Sequence, residues 1–281
     1  GAQSSAPDGP RTHADGFLEW ERLPDFPGAL GVAGPFVGTS NGALIVAGGA
    51  DFPRPVWEAK KRWHDAIWTL HDAGGAWEWS KDEGVLPRRM AYGACVAARE
   101  GVICVGGLRG RTTIRDCVLL SWDSKGGRVR QSPMPPLPHG IAHGTAVLVG
   151  RRVWLFCGMT GSELSSATND AWTLHLDRQQ RGWRRGPSLP GPARALALAA
   201  AQHNGSGERV YVMSGRRQGD QGHVEKLVDC WEFDPHAVDL GLVDAGTGAY
   251  DGSSPWRRRA DVPRCVMAGT AAPLGDNHVV V

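Results

Sequence analysis

Short apolar runs that end in glycine recur four times along this chain of 281 residues. The first run follows an Asn41-Gly42 turn and passes through 43–47 into the pair Gly48-Gly49. Asn-Gly between apolar runs indicates a β-hairpin, and paired glycines let the backbone turn where a side chain would clash. The three later runs end at Gly107, Gly158 and Gly215, at spacings of 58, 51 and 57 residues.

A strand-based period of about 50 residues is typical of kelch-type β-propellers, in which each repeat forms one blade. The chain is therefore predicted to be an all-β, kelch-type β-propeller, six-bladed when complete, with about four and a half blades present. The predicted blades cover approximately 31–80, 90–131, 141–186 and 194–259, with a partial blade at 264–281. An insertion at 236–254, rich in Gly and Asp, is predicted to be a surface loop of the fourth blade.

The two ends of the chain indicate how the ring closes. Residues 1–16 are polar and are predicted to be a disordered leader, so that 17–281 forms the incomplete propeller domain. Residues 17–24, around Trp20, are predicted to be a closing outer strand, because propellers complete one blade from both chain ends. We expect a C-terminally truncated chain, with roughly 80 to 110 further residues needed to close the ring.

Tryptophans recur in the third and fourth strands of the predicted blades. Two pairs of them are separated by eleven residues, and the pair in the fourth blade is separated by the insertion. Because a large indole fills the space between neighbouring sheets, a structural role is expected for these residues. The pairs are Trp68 and Trp79, Trp172 and Trp183, and Trp231 and Trp256.

Composition excludes several functional classes. The net charge of +2 and the dispersed basic residues argue against nucleic acid as a partner, and no apolar run is long enough for a membrane span. The six cysteines lie in predicted strands without metal-ligand spacing, so we expect reduced core cysteines, no metal and no cofactor. A disulfide between Cys95 and Cys104, on one hairpin, stays open. The start without Met favours a periplasmic or secreted protein, with a cytoplasmic one also open.

Several motifs in the first two blades resemble the kelch-type sialic acid mutarotases, also called N-acetylneuraminate epimerases. The resemblance covers residues 18–123, and the remainder matches only as generic blades. The motifs are Gly31-Val-Ala-Gly-Pro-Phe-Val-Gly, Ala43-Leu-Ile-Val-Ala-Gly-Gly-Ala-Asp-Phe, Lys60-Lys-Arg-Trp-His-Asp and Arg89-Met-Ala-Tyr-Gly-Ala-Cys-Val. In periplasmic members the Gly-Val-Ala-Gly blade lies near the C-terminus, so the resemblance implies a cyclically permuted branch.

That resemblance implies an isomerase that interconverts the α and β anomers of N-acetylneuraminate and supports sialic acid utilisation. Its small-molecule partner would be this anionic sugar, and a homodimer stays open. The catalytic glutamate and arginine of the family are expected in a loop beyond Val281, so no catalytic residue is assigned. Ring opening and closure need one group at the anomeric hydroxyl and another at the ring oxygen, while an arginine suits the carboxylate.

Ligands of propellers usually lie over the central channel, on the loops between second and third strands and between blades. These loops supply the substrate-binding candidates Asp51, Arg89, Arg109, His139, Arg194, Arg216 and Arg264, and they also contain Arg54, His64, Arg111, His143 and Arg217. By sequence position, Arg89, Arg194 and Arg264 share one place before the first strand of their blades. Such repetition indicates either a positive ring that attracts an anion or a repeated structural ion pair.

Three other functions compete with the mutarotase. A non-catalytic kelch propeller that binds a protein or glycan would use the same loops without an acid–base pair. A sialidase is disfavoured because the Ser-x-Asp-x-Gly-x-Thr-Trp boxes are absent from the sequence. A copper radical oxidase needs tyrosine and histidine ligands from several blades, and the chain has only three tyrosines.

Overall fold

Four antiparallel sheets of four strands follow one another along the chain. The structure is a computed structural model and describes residues 21–28, 30–276 and 278–281. The first two sheets contain β1 (Phe36–Ser40), β2 (Ala43–Ala47), β5 (Ala66–Asp72) and β6 (Trp77–Val85), then β7 (Ala94–Ala98), β8 (Gly101–Arg109), β9 (Thr112–Asp123) and β10 (Arg128–Met134). The next two contain β11 (Thr145–Val149), β12 (Arg152–Met159), β13 (Ala167–His175) and β14 (Arg184–Gly186), then β15 (Leu198–His203), β16 (Glu208–Met213), β19 (Cys230–Phe233) and β20 (Trp256–Arg259).

Within each sheet the strands pair in sequence order, as expected for propeller blades. Two short ribbons extend the connection between the second and third strands in the first and fourth blades. The remaining strands form a partial fifth blade, which lies beside β15. The ribbons are β3 (Ala50–Asp51) with β4 (Arg62–Trp63) and β17 (Arg216–Gln218) with β18 (Val224–Lys226), and the partial blade holds β21 (Ala272–Leu274) and β22 (His278–Val280).

Helical structure in the described residues is confined to four short 3₁₀ helices on the connections. They cover Leu164–Ser166, Leu176–Arg181, Asp220–Gly222 and Leu240–Leu242. None of these helices has the length and apolar character needed to cross a membrane.

The hydrophobic core is divided into four clusters, one in each space between neighbouring blades. Adjacent sheets approach one another most closely at their first strands, so the blades converge there. Between the third and fourth blades the core is aromatic, with Phe233 4.8 Å from Trp154 and 4.6 Å from Trp256 between ring centroids. The described blades are therefore held by packing against their sequence neighbours.

In three blades, a tryptophan in the fourth strand or directly before it contacts the chain segment that follows the preceding blade. The indole of Trp183 donates a hydrogen bond to the carbonyl of Pro135, which follows β10, and that of Trp256 donates to Pro187, which follows β14. In the first blade, Trp79 donates in the same way to Pro24 at 2.9 Å. Pro24 thus stands where the end of a preceding blade would stand.

Two predicted boundaries differ from the structure. Residues 21–24, the described part of the predicted closing strand at 17–24, pair with no strand, and residues 17–20 and the leader at 1–16 lie outside the described residues. The opening strand of the partial blade, predicted at 265–272, is formed only from Ala272, because 265–268 turn between blades and Val266 donates its N–H to Ser214 Oγ.

All six cysteines are free in the structure. Cys95 and Cys104 stand opposite each other on β7 and β8, but the Cys95 thiol donates to the carbonyl of Val37 in the neighbouring blade. Burial raises the pKa of Cys117 to about 11 and that of Cys157 to about 12, as expected for cysteines that serve as small apolar core residues.

The aromatic space between the third and fourth blades is expected to dominate local stability. Phe233 is fully buried, so Phe233→Ala should cost about 3–5 kcal/mol of unfolding free energy through lost contacts and a residual cavity. Trp57→Ala removes a larger ring that is 84% exposed and should change stability by less than about 0.5 kcal/mol. Chemical unfolding of both variants checks this, and an equal loss for the two would contradict the packing argument.

Candidate functional site

Residues with a left-handed backbone conformation lie at the end of the second strand of each blade, where the chain contacts the next blade. The pairs Gly48-Gly49 and Gly106-Gly107 both have positive φ, and the N–H of Gly49 and Gly107 donates to the following blade at 2.9 and 2.8 Å. A Cβ at Gly106 would lie 2.3 Å from the carbonyl oxygen of Ile141, so glycine is required there. The recurring glycine pair therefore reflects close contact between blades.

A second set of left-handed residues precedes the first strand of each blade, where the blades converge. Its members are Gly34, Tyr92, His143, Leu196 and Ala268, with φ between 56° and 61°. The N–H of Tyr92 donates to Gly34 at 2.7 Å, that of His143 to Tyr92 at 2.8 Å, and that of Leu196 to His143 at 2.9 Å. Four consecutive blades are thus linked through this inner ring of residues.

Two members of the inner ring have side chains with useful chemistry, and these side chains are in contact. The rings of Tyr92 and His143 stack with centroids 4.8 Å apart and an interplanar angle of 25°. Lys61, which comes just before β4, donates its Nζ hydrogen to the Tyr92 hydroxyl at 2.8 Å. Because the Tyr92 oxygen accepts this bond, its own O–H is available to donate to a ligand.

Lys61 lies among three aromatic rings. Its Nζ is 4.7 Å from the Tyr92 ring centroid, 5.3 Å from that of Phe52 and 5.4 Å from that of Trp63. Cation–π attraction holds the ammonium at this point, and no carboxylate among the described residues pairs with it.

His143 is neutral at physiological pH, and two cations are responsible in part. Burial is the main cause that lowers its pKa to about 4, and the positive charges of Arg216 and Lys61 lower it further. The buried Nδ1 of His143 and the buried Nε of Arg216 have no hydrogen-bond partner in the described structure. We call Lys61, Tyr92, His143 and Arg216 the inner cluster.

A cleft of about 520 Å³ lies beside the inner cluster and shares Tyr92 with it. Its polar wall includes Asp51, which accepts two hydrogen bonds from Arg62 at 2.8 and 2.7 Å and lies 3.3 Å from His64 Nε2. The bonds from Arg62 lower the pKa of Asp51, which therefore stays ionised. The other lining residues are Leu30, Gly31, Val32, Ala33, Ala50, Phe52, Arg54 and Val56.

Pairing distinguishes the two cations of the inner cluster from their sequence neighbours. Arg62 is paired with Asp51 and Arg217 with Glu225, whereas neither Lys61 nor Arg216 forms an ion pair within the described residues. A cleft of this size suits a sugar, and the two cations of the inner cluster, which shares Tyr92 with the cleft, are groups that would attract a carboxylate. A neutral imidazole and a free phenol O–H add a proton acceptor and a proton donor.

The structure brings two of the seven sequence candidates, Asp51 and Arg216, to this region. Arg109 at the end of β8 and Arg264 before the partial blade are exposed. Arg89 is also exposed and lies 3.4 Å from Asp65. His139 lies outside the inner cluster, with its ring edge-on to Trp172 at 5.4 Å.

Arg89, Arg194 and Arg264 were predicted to share one place in their blades, but their backbone positions are not equivalent. The carbonyls of Met90, Ile141 and Arg194 accept the equivalent bonds from the glycine turns, so Arg194 corresponds to Met90 rather than to Arg89. Arg264 lies four residues before the left-handed residue of its blade, Ala268, and this is the position of Arg88 before Tyr92 and of His139 before His143.

Arg194 is a structural anchor. Its side chain is fully buried and donates to both carboxylate oxygens of Asp229 at 2.6 Å and to the carbonyl of Ser214 at 3.1 Å. Burial alone would raise the pKa of Asp229, but the bonds from Arg194 and Trp231 outweigh it and the pKa is lowered. Arg194 is therefore inaccessible to a substrate, and the repeated ion-pair interpretation applies to it.

Sequence reasoning missed Lys61 and Tyr92 as members of a site. Tyr92 was detectable from the repeated pattern in which an apolar residue and alanine precede one variable residue, as in Val32-Ala33-Gly34, Met90-Ala91-Tyr92 and Ile141-Ala142-His143. Lys61 belongs to no repeat, because it lies in the long β3–β4 connection that is present in the first blade.

No metal site is formed by the described residues, since no group of three or more His, Cys, Asp or Glu side chains lies close enough together. The inner cluster is instead built from cationic, aromatic and neutral groups.

Comparison of sequences connects part of this chain with curated epimerases. The chain is 31% identical over 125 residues to the N-acetylneuraminate epimerase of Haemophilus influenzae (strain PittEE), covering 38% of this chain and 32% of that protein. It is 33% identical over 131 residues to the enzyme of the same name from Yersinia pestis, covering 40% and 31%. The expected resemblance is confirmed, although the match spans about a third of the relatives' length. No protein-family model matches the chain.

Comparison of structures supports the fold. The structure of YjhT is similar with a TM-score of 0.69, covering 92% of this chain and 79% of that one at 13% identity. At this identity the likeness concerns the fold alone, and it confirms the predicted all-β propeller architecture.

The ion pair between Arg194 and Asp229 is expected to affect stability most when only one of its two partners is removed. Arg194→Met leaves the largely buried Asp229 carboxylate with only its Trp231 hydrogen bond and should cost about 3 kcal/mol of stability. Arg194→Met combined with Asp229→Asn removes the charge but keeps an acceptor for Trp231, so chemical unfolding should show most of the loss recovered. Equal losses in the single and double variants would contradict the charge-pair explanation.

His143 is expected to make stability depend on pH. Its folded-state pKa of about 4 lies below the usual histidine value near 6.5, so the unfolded chain binds the extra proton between these values. Stability supplied by neutral His143 is present above pH ~6.5 and is lost as pH falls through about 4, with a total of about 3 kcal/mol. His143→Gln should lose less stability between pH 7.5 and 4.5 in urea unfolding. If the parent protein and His143→Gln lose the same unfolding free energy between pH 7.5 and pH 4.5, His143 is not responsible for the pH dependence.

Proposed function

We propose that this protein binds N-acetylneuraminate at the inner cluster and interconverts its α and β anomers. The observation that carries the proposal is that two partly buried cations, Lys61 and Arg216, lie near neutral His143 and form no ion pair among the described residues. The similarity to curated N-acetylneuraminate epimerases, limited to part of the chain, supports this substrate.

The inner cluster suits an acidic sugar for electrostatic reasons. Because Lys61 and Arg216 have no carboxylate partner among the described residues, a substrate carboxylate would form the first ion pair for either of them. A guanidinium offers two parallel N–H donors to such a group, and the unpartnered Nε of Arg216 is one of these donors. The carboxylate of the sugar is therefore placed at these two cations.

Mutarotation needs proton transfer at two positions of the sugar. The anomeric hydroxyl loses its proton while the ring oxygen gains one, and the ring then recloses on the other face of the carbonyl. Tyr92 has a free O–H to donate, and neutral His143 has an unpartnered nitrogen beside it. These two groups are the donor and acceptor that the cluster offers to a bound sugar.

A propeller that only binds the sugar, without catalysis, uses the same cations. The two functions differ in one measurable quantity, because binding alone leaves the rate of anomer exchange unchanged. Proton NMR of freshly dissolved N-acetylneuraminate, with and without the protein, measures this rate directly. Accelerated exchange supports the mutarotase, whereas binding without acceleration supports the non-catalytic propeller.

The two cations of the inner cluster are expected to supply much of the binding affinity for N-acetylneuraminate. Lys61→Met and Arg216→Gln should each weaken N-acetylneuraminate binding about 10- to 100-fold, since hydrogen bonds between charged groups contribute about 1.5–3 kcal/mol. Isothermal titration calorimetry measures the change.

Matched controls lie one residue away in each case. Lys60→Met and Arg217→Gln remove the same charges from adjacent positions outside the cluster, and their affinities should stay within about twofold of the parent protein, a difference below about 0.5 kcal/mol. The methyl ester of N-acetylneuraminate, which lacks the carboxylate charge, should bind more weakly to the parent protein. Equal effects of the cluster and neighbouring substitutions, or equal binding of the ester, would contradict the proposal.

A further inference from the structure

A second group of basic side chains surrounds a small pocket on the third blade, next to the insertion of the fourth. The pocket has a volume of about 30 Å³. Its walls are formed by Arg152, Thr173, His175, Arg178, Arg181, Gly182, Arg184 and Leu240. We call this the arginine pocket.

Strand register brings these residues together. Arg152 on β12 pairs with His175 on β13, and Thr173 on β13 pairs with Arg184 on β14. Because side chains two residues apart on a strand share a face, all four lie on the same face of the sheet. The 3₁₀ helix at 176–181 follows directly and adds Arg178 and Arg181 at the rim. The pocket thus follows from the pairing of three neighbouring strands.

The positive charge of the pocket is not compensated by the protein. None of its four arginines forms an ion pair within the described residues. Their sequence neighbours do: Arg151 is paired with Glu100 and Asp177, and Arg185 is paired with Asp170. Burial together with the charges of Arg178 and Arg184 lowers the pKa of Arg152, which shows that the guanidinium groups repel one another.

Two further groups in the pocket are ready to donate hydrogen bonds. Thr173 is 1% exposed, and its buried hydroxyl has no partner in the described structure. A buried hydroxyl without a partner is costly, so a ligand that accepts its proton is favoured. The Nδ1 of His175 accepts the N–H of Asp177, which leaves the proton of the neutral ring on Nε2 as a donor.

The size of the pocket restricts the ligand. About 30 Å³ corresponds to roughly two water positions and is too small for a sugar ring. A tetrahedral oxyanion brings several acceptor oxygens and a negative charge into such a space, and arginines bind it through paired N–H donors.

We propose that the arginine pocket binds a small oxyanion of the phosphate class, separately from the inner cluster. The bound anion offsets part of the positive charge of the four guanidinium groups and accepts a hydrogen bond from the Thr173 hydroxyl. Leu240, from the insertion of the fourth blade, closes one side of the pocket, and its carbonyl lies 3.5 Å from Arg184 Nη2. An anion in the pocket therefore holds the insertion against the third blade.

Inorganic phosphate is the probe for this site, and sodium chloride of equal ionic strength is the reference. At a phosphate concentration ten times its dissociation constant, the thermal midpoint should rise by about 3–5 °C above the chloride reference. Sulfate and a sugar phosphate are tested in parallel. Comparable binding of the sugar phosphate indicates a phosphate carried on a larger molecule, and its exclusion indicates the free ion.

Variants separate the pocket from a general effect of charge. Arg184→Gln should weaken phosphate binding about tenfold, the loss of one charge-assisted contact. Arg257→Gln, an exposed arginine on β20 of the neighbouring blade, is the matched control and should leave binding unchanged.

Thr173→Val tests the buried donor without disturbing the fold. It keeps the shape of the side chain and removes the unpartnered hydroxyl, so the phosphate-free protein should be at least as stable as the parent while phosphate binding is weakened several-fold. The proposal would be overturned if phosphate raised the thermal midpoint no more than chloride does. It would also be overturned if Arg184→Gln and Arg257→Gln weakened phosphate binding equally.

Discussion

Contact between blades at the inner ring is the constraint on which the rest of the structure depends. The backbone N–H groups of Tyr92, His143 and Leu196 each donate to the preceding blade, and the glycine turns donate to the following one. These bonds require positive φ at fixed positions, which explains why glycine recurs along the chain. They also bring the first strands close together, so that each apolar cluster is buried between two blades. A blade is therefore stable only beside its neighbour.

The same constraint generates the candidate site. A left-handed residue that is not glycine costs energy, yet the inner ring holds Tyr92 and His143 in this conformation. Their side chains project from the point where blades converge, and there they meet Lys61 from the β3–β4 connection and Arg216 from β17. The fold supplies a fixed backbone ring, and the connections between second and third strands supply the charges. Function can thus vary in the loops while the blade contacts stay the same.

Blade positions were predictable from the sequence because the glycine turns are short, local and repeated. The tryptophan positions followed for the same reason, and Trp183 and Trp256 do pack between blades. The register of single residues was not predictable to the same degree. A shift of one position moved Arg194 from one alternative, a channel ring, into an ion pair with Asp229 in which the arginine is fully buried. Lys61 was missed because its place depends on a long connection whose path is set by contacts with Phe52, Trp63 and Tyr92.

Charge pairing shows which basic residues are free for binding. The net charge of +2 conceals an uneven distribution, because many arginines are already paired with nearby carboxylates. The inner cluster and the arginine pocket each gather several cations that form no ion pair among the described residues. Lys61, Arg152, Arg184 and Arg216 each lie one residue from a paired arginine. Since like positive charges that are held close together without an anion oppose folding, both groups are better explained by anions that bind there than by a contribution to stability. Their different sizes, a cleft of about 520 Å³ and a pocket of about 30 Å³, then assign the larger anion to the first and the smaller one to the second.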